Sequence, residues 1–155
     1  MTISLKYQPA EYITIGEIKL PWGIDRMECR TLLNSAFEAS DNMPYMQYRD
    51  IYTNYRGGEN FFFLNFSPEG KLAEMEIHHG FVVEINDLHI DFSMNIDEAV
   101  RIISSISENS KKLSGGEFFF EDLKLAIASS EAMGGNGEDL SYFYCARDVG
   151  HLLED

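Results

Sequence analysis

The sequence predicts an α+β fold: a mostly antiparallel sheet with two main helices packed on one face, from two tandem strand–helix–strands repeats. Three observations carry this. The stretch Ile15–Leu33, IGEIKLPWGIDRMECRTLL, returns seventy residues later as Ile85–Ile103, INDLHIDFSMNIDEAVRII, with no gap. Ile15, Ile18, Leu20, Glu28, Leu32 and Leu33 fall on Ile85, Leu88, Ile90, Glu98, Ile102 and Ile103. Between and after the two copies lie alternating or aromatic runs separated by glycine-rich turns, the pattern of hairpins. The helices are set apart from the hairpins and do not alternate with single strands, which favours an antiparallel sheet. At 155 residues and 45% apolar content the chain is expected to be one domain, with pseudo-repeats at about residues 12–80 and 81–155.

In chain order, Tyr12–Leu20 reads as a strand interrupted at Gly16 and stopped by Pro21. Asp25 is the expected N-cap of a helix running to about Phe37, and Glu28 three residues later completes the pattern of a capping box. Cys29, Leu32, Leu33 and Ala36 supply its apolar stripe. Residues 38–50, with Pro44, read as a loop, and Ile51–Tyr55 as a strand. Phe61–Phe66 is strongly strand-like, and Ser67-Pro68-Glu69-Gly70 has turn chemistry. The next run alternates: Ala73, Met75 and Ile77 face one way, Glu74, Glu76 and His78 the other. That predicts a half-buried strand with an acidic outer face. Gly80 turns the chain into strands Phe81–Ile85 and Leu88–Phe92. Asn95 and Glu98 repeat the capping pattern for a helix from Ile96 to about Ser107, with Ala99, Ile102, Ile103 and Ile106 as its stripe. Residues 107–114 read as a polar linker, and Gly115-Gly116-Glu117-Phe118-Phe119-Phe120 echoes Gly57-Gly58-Glu59-Asn60-Phe61-Phe62-Phe63. Leu123–Ala128 and Leu140–Ala146 are further strands, joined by a loop over 129–139 that three glycines are expected to leave mobile. His151-Leu152-Leu153 and two acids close the chain.

Lys and Arg together number 12 against 26 Asp and Glu, a net charge of −14. Such a field repels nucleic acid and anionic membranes and attracts cationic partners. The first residues lack a basic segment followed by an apolar run, and no stretch approaches the roughly 18 apolar residues of a membrane span. The cytoplasm is the expected compartment. Cys29 and Cys145 sit in apolar patterns and are expected as buried, reduced thiols.

No residue pattern points to catalysis, a metal or a cofactor. His78, His79 and His89 lie on strands without cysteine partners or an HExxH spacing. Gly134-Gly135-Asn136-Gly137 is not followed by Lys-Ser or Lys-Thr, so it is no P-loop. Charge placement is more informative. From Leu72 to Val100 there is no Lys or Arg, while Glu74, Glu76 and Glu84 are acidic. From Glu131 onward Arg147 is the one cation beside Glu131, Glu138 and Asp139. Acids interleaved with Tyr and Phe suit docking of a basic protein, with rings as anchors and carboxylates for steering. Glu74, Glu76, Glu84, Glu131, Glu138 and Asp139 are therefore the candidate partner-binding residues.

The stretches GEIKLPWGIDRMECRTLL, NFFFLNFSPEGKLAEMEIHHG, EINDLHIDFSMNIDEAVRIIS and GGEFFFEDLKLAIAS resemble small bacterial immunity proteins that partner polymorphic and contact-dependent toxins. In that pattern a G-x-S/D-R-x-E-x-R-x-L-L helix precedes a strand, an acid–Gly turn and a second strand. The layout is also similar to tandem-repeat inhibitors of the β-lactamase-inhibitory type. The resemblance covers about residues 12–128, and Leu123–Ala128 departs from it by lacking a Trp. It implies stoichiometric inhibition of a cognate cytotoxic effector, a basic one such as a nuclease, without catalysis. It transfers no functional residue, because such proteins bind through variable surfaces. The alternatives are a non-catalytic adaptor or structural domain of a bacterial assembly, and an enzyme or small-ligand binder using the sheet. A toxin gene just upstream separates the first two; a deep apolar pocket with convergent acids would favour the third.

Overall fold

The computed structural model describes residues 2–41 and 48–148. It is an α+β protein of mostly antiparallel sheet with two helices. The chain begins with β1 (Ile3–Gln8), β2 (Tyr12–Ile15) and β3 (Ile18–Pro21), then α1 (Arg26–Leu33). A meander follows: β4 (Glu38–Ser40), β5 (Tyr48–Thr53), β6 (Phe61–Phe66) and β7 (Leu72–His79). Then come β8 (Phe81–Ile85), β9 (Leu88–Asp91) and α2 (Ile96–Ser104), and a second meander of β10 (Ser110–Ser114), β11 (Glu117–Phe120), β12 (Leu125–Ser129) and β13 (Leu140–Ala146). The expected loop around Pro44 and the closing His151–Leu153 lie outside the described residues.

Two sheets form where the sequence suggested one. The small sheet has the order β3-β2-β1-β8-β9, and the large one β10-β11-β12-β13-β7-β6-β5-β4. Every pairing is antiparallel except that of β1 with β8. The chain passes between the sheets through α1, through α2 and, from β7 to β8, through one residue, Gly80. Its φ is +90°, and a Cβ there would stand 2.2 Å from the Glu59 carbonyl oxygen. Only glycine fits that turn.

One apolar core takes residues from both sheets and both helices, among them Leu5, Ile13, Phe62, Met75, Ile127, Phe143, Leu33 and Ile103. Met75 and Ile77 face it, as the alternation in β7 predicts. The helices are shorter than expected. Asn34, in the left-handed region at φ 45°, ends α1. The buried side of α1 consists of Cys29 and Leu33, with Arg26 and Arg30 beside them holding Asp50 of β5. That stripe is rotated away from Leu32, which is 39% exposed, while Ala36 lies outside the helix and exposed. In α2 Ile96, Ala99 and Ile103 are buried and Ile102 is partly so. Asn95 caps α2 by accepting from the Asp97 N–H at 2.8 Å. Asp25 holds the same position on α1 without a side-chain cap bond, its carboxylate lying 3.5 Å from Lys71 Nζ. Among the described residues neither the Glu28 nor the Glu98 side chain returns a bond to the N–H of its cap residue.

Three strands were not legible as such: β1, β4, and β10, which lies in the supposed linker. The glycine–phenylalanine echo also misleads. Phe61–Phe66 is the third strand of its meander and Glu117–Phe120 the second of its own, so the two aromatic runs do not occupy corresponding places. Cys29 and Cys145 are buried free thiols. No helix among the described residues is long and apolar enough to cross a membrane.

Candidate functional site

The large sheet has two faces with different contents. The inner one feeds the core. On the outer one, Phe119, Tyr144 and Ala146 form a separate cluster with Ala126 and Tyr142, drawn from β11, β12 and β13 alone. Neither helix and no strand of the small sheet contributes to it. The registers set one row straight across this face: Phe63 lies opposite Glu76, Glu76 opposite Tyr144, Tyr144 opposite Ala126, and Ala126 opposite Phe119.

At its centre the outer face carries a polar network. Arg49 of β5 donates to Asn65 Oδ1 at 2.8 Å and to Glu76 Oε2 at 2.6 Å. Its guanidinium also lies over the Phe63 ring, 4.3 Å from the centroid. Asn65 Nδ2 donates to Glu76 Oε2 at 2.6 Å and to Glu74 Oε1 at 3.1 Å. The Tyr142 hydroxyl donates to Glu76 Oε1 at 2.6 Å, and the Tyr144 hydroxyl to Glu74 Oε2. Charge-assisted bonds of this kind are among the stronger ones in proteins. Beside the network, the His78 ring packs 5.3 Å from Phe61, 4.8 Å from Phe63 and 5.5 Å from Tyr142, centroid to centroid.

This corrects the expected acidic surface. Glu74 and Glu76 do point away from the core, but they are not freely solvated: Glu74 is 7% exposed and the Glu76 side chain 15%. On a broad sheet each residue is walled by its cross-strand neighbours, here Asn65, Tyr142, Tyr144 and Arg49. Glu84 lies on the small sheet, 3.8 Å from Lys6 Nζ and 3.7 Å from His89 Nε2. Glu131, Glu138 and Asp139 are exposed in the loop before β13. That loop is braced, not loose: Ser130 N–H donates to the Asp139 carbonyl, Gly135 N–H to the Ser130 carbonyl, and Ile96 N–H to the Glu138 carbonyl at 2.7 Å. The six acids therefore do not form one patch. Glu76 sits opposite Tyr144, five residues along β13 from Asp139, or about 17 Å. The residues sequence reasoning missed are Arg49, Phe63, Tyr142 and Tyr144. The i, i+2 spacing of Tyr142 and Tyr144 was visible, but not which strands lie side by side.

Chemically the face is a set of charges and rings held together by hydrogen bonds. Burial, then the Glu76 carboxylate, pushes Tyr142 far above its usual range, and burial, then Glu74, does the same to Tyr144, so both hydroxyls remain donors. Burial lowers His78, which leaves it neutral at neutral pH. Burial, with Asp50 nearby, pushes the Cys29 thiol up to about 12, so it is a poor nucleophile. Among the described residues no group of His, Cys, Asp and Glu is placed to hold a metal ion. No family model, curated protein or solved structure matches the chain.

Proposed function

We propose that this chain is an immunity-type inhibitor. It binds a basic cytotoxic effector protein, such as a nuclease, in the cytoplasm and neutralises it in a stoichiometric complex without catalysis. The observation that carries this reading is the outer face of the large sheet, where Phe61, Phe63, His78 and Tyr142 surround the Arg49–Glu76–Asn65–Glu74 network. Aromatic residues and Arg are enriched at interface cores. A network already held by hydrogen bonds loses little further freedom on binding. The charge of −14, with Glu131, Glu138 and Asp139 exposed, speeds encounter with a cationic protein.

We further infer that the chain arose as two tandem copies, each a hairpin, a helix and a four-strand meander. In support, the Arg26 N–H donates to the Gly70 carbonyl where the Ile96 N–H donates to that of Glu138. Likewise the Leu72 N–H meets the Ile24 carbonyl where the Leu140 N–H meets that of Met94.

The test is co-expression with the toxin encoded beside this gene. Restored growth, a 1:1 complex on size-exclusion chromatography, and association that slows as salt rises would support the reading. A neighbouring product that neither binds nor harms cells would overturn it and leave the adaptor alternative.

A further inference from the structure

The outer face has a depression of about 180 Å³ between β11, β12 and β13. Ala126 and Ala128 lie at its floor, Tyr142 and Tyr144 on one side, and Leu113 and Glu117 on the other. The registers explain the hollow. Ala126 pairs with Tyr144 and Ala128 with Tyr142, so two methyl groups stand in a row with two large rings. Glu117 is paired with Ala128 on the far side. Drug-sized ligands fill roughly 300–1,000 Å³, so this hollow suits a single side chain.

Its chemistry selects which one. The floor and most of the walls are apolar, which suits an aliphatic stem. Two tyrosine rings line it, and aromatic faces attract a cation, a guanidinium most often. Each tyrosine hydroxyl is hydrogen-bonded to a carboxylate, Glu76 behind Tyr142 and Glu74 behind Tyr144, and Glu117 adds a third acid at the rim. Arg49 is paired with Glu76 on the opposite side of the rings. An aspartate or glutamate would meet this acid surround unfavourably. A plain aliphatic residue would leave the carboxylates without benefit.

We propose that this depression is a socket for one arginine side chain of the protein partner. The assignment rests on the partner-binding reading above and names the chemistry of its anchor. The stem lies on Ala126, Ala128 and Leu113, and the guanidinium stacks on a tyrosine ring and faces Glu117. An anchor residue in a central pocket is the usual form of an interface hot spot.

The test begins with the isolated full chain and N-acetyl-arginine amide, read by methyl and amide NMR shifts. The expected result is saturable shifts at Ala126, Ala128 and Leu113. The neutral isostere N-acetyl-citrulline amide should give none, and the lysine amide weaker ones. Ala126→Leu fills the hollow without removing a hydrogen bond and should abolish the shifts; Glu117→Gln keeps the volume and should weaken them. Circular dichroism and thermal melting confirm that each variant is folded. Absent shifts, equal shifts from citrulline, or arginine shifts that survive Ala126→Leu in the folded variant would each overturn the socket. With the toxin, Ala126→Leu should weaken binding by at least about tenfold, the size of a lost anchor. Unchanged toxin affinity in that variant would overturn the anchor role while leaving the inhibitor reading intact. Arginine-amide binding without any toxin complex would do the reverse.

Discussion

Helices α1 and α2 occupy corresponding places, yet the strand beside each offers something different. The ladders identify the matching positions. Asp50 faces Leu64, which faces Met75, three residues after Leu72; Phe118 faces Ile127, which faces Phe143, three residues after Leu140. Asp50 thus answers to Phe118, and Arg26 and Arg30 answer to Ile96 and Val100. In the first half a fully buried carboxylate takes Arg26 at 2.7 Å and Arg30 at 2.8 Å, and Asp41 takes Arg26 again. Burial alone would lower the Arg26 pKa, but Asp50 and Asp41 outweigh it; for Arg30 the bond to Asp50 is the largest influence, and it too is raised. In the second half Ile96, Val100 and Phe118 pack as hydrocarbon against the same core. Each half fills its three positions with a matched set, ionic in one and apolar in the other. Removing one partner of a buried pair is costly, whereas replacing the whole set with matched apolar groups is often neutral.

The largest expected effect breaks the ionic side. Asp50→Ala should cost about 3–5 kcal/mol, because it removes the shared carboxylate from two largely buried guanidinium groups and leaves Arg26 with Asp41 and Arg30 with no carboxylate among the described residues. The triple variant Arg26→Ile/Arg30→Val/Asp50→Phe copies the second half into the first and should recover most of that loss. Urea midpoints measure both; a triple variant weaker than Asp50→Ala would show that the two docks are not interchangeable.

Next comes the hydrocarbon they share. Leu33→Ala and Ile103→Ala should each cost about 2–5 kcal/mol by opening a core cavity. Leu32→Ala, at an exposed position, should stay within about 0.5 kcal/mol. Thermal melts of the three variants separate buried stripe from bystander, and equal losses at Leu32 and Leu33 would refute the observed rotation of α1.

The same correspondence runs on the outer face, where Glu74 and Glu76 answer to Tyr142 and Tyr144. Tyr144→Phe keeps the ring and deletes the bond to Glu74, so it should cost about 1.5–3 kcal/mol, as for hydrogen bonds to charged groups. Denaturant titration at neutral pH reads it. A loss below about 0.5 kcal/mol would mean that Glu74 is satisfied without the tyrosine.

The smallest effect distinguishes the caps. Asn95→Ala should cost about 1 kcal/mol and Asp25→Ala clearly less, since only Asn95 makes the cap bond. Equal losses would place a comparable bond on Asp25 in solution.

Much of the architecture was legible because it rests on local signals. Both helix starts, the Gly80 turn, the inward Met75 and Ile77, and the buried cysteines follow from spacing and turn chemistry. What was hidden depends on non-local pairing. Leu32 looked like core because nothing in an isolated helix shows that Arg26 and Arg30 share the buried side; that requires Asp50, some twenty residues away, on a strand alongside. Glu74 and Glu76 looked solvated because their neighbours Arg49, Asn65, Tyr142 and Tyr144 arrive from three separate strands. Ile3–Gln8 was passed over as a strand because its only sequence-local partner is the hairpin after it, and its other partner comes much later.

That other partner gives the molecule a timetable. β1 lies between β2 and β8, its Tyr7 hydroxyl donates to the Leu123 carbonyl at 2.6 Å, and about 80 residues separate it from β8. At about 5–20 residues per second on the ribosome, β1 waits roughly 4–16 seconds for β8 to be made. Until then the first hairpin has β1 as an open parallel edge, and the small sheet cannot close over the core. Completing β8 is the step at which β1 gains its second neighbour and that edge is covered; the interior waits longer still, for Ile103, Ile127 and Phe143.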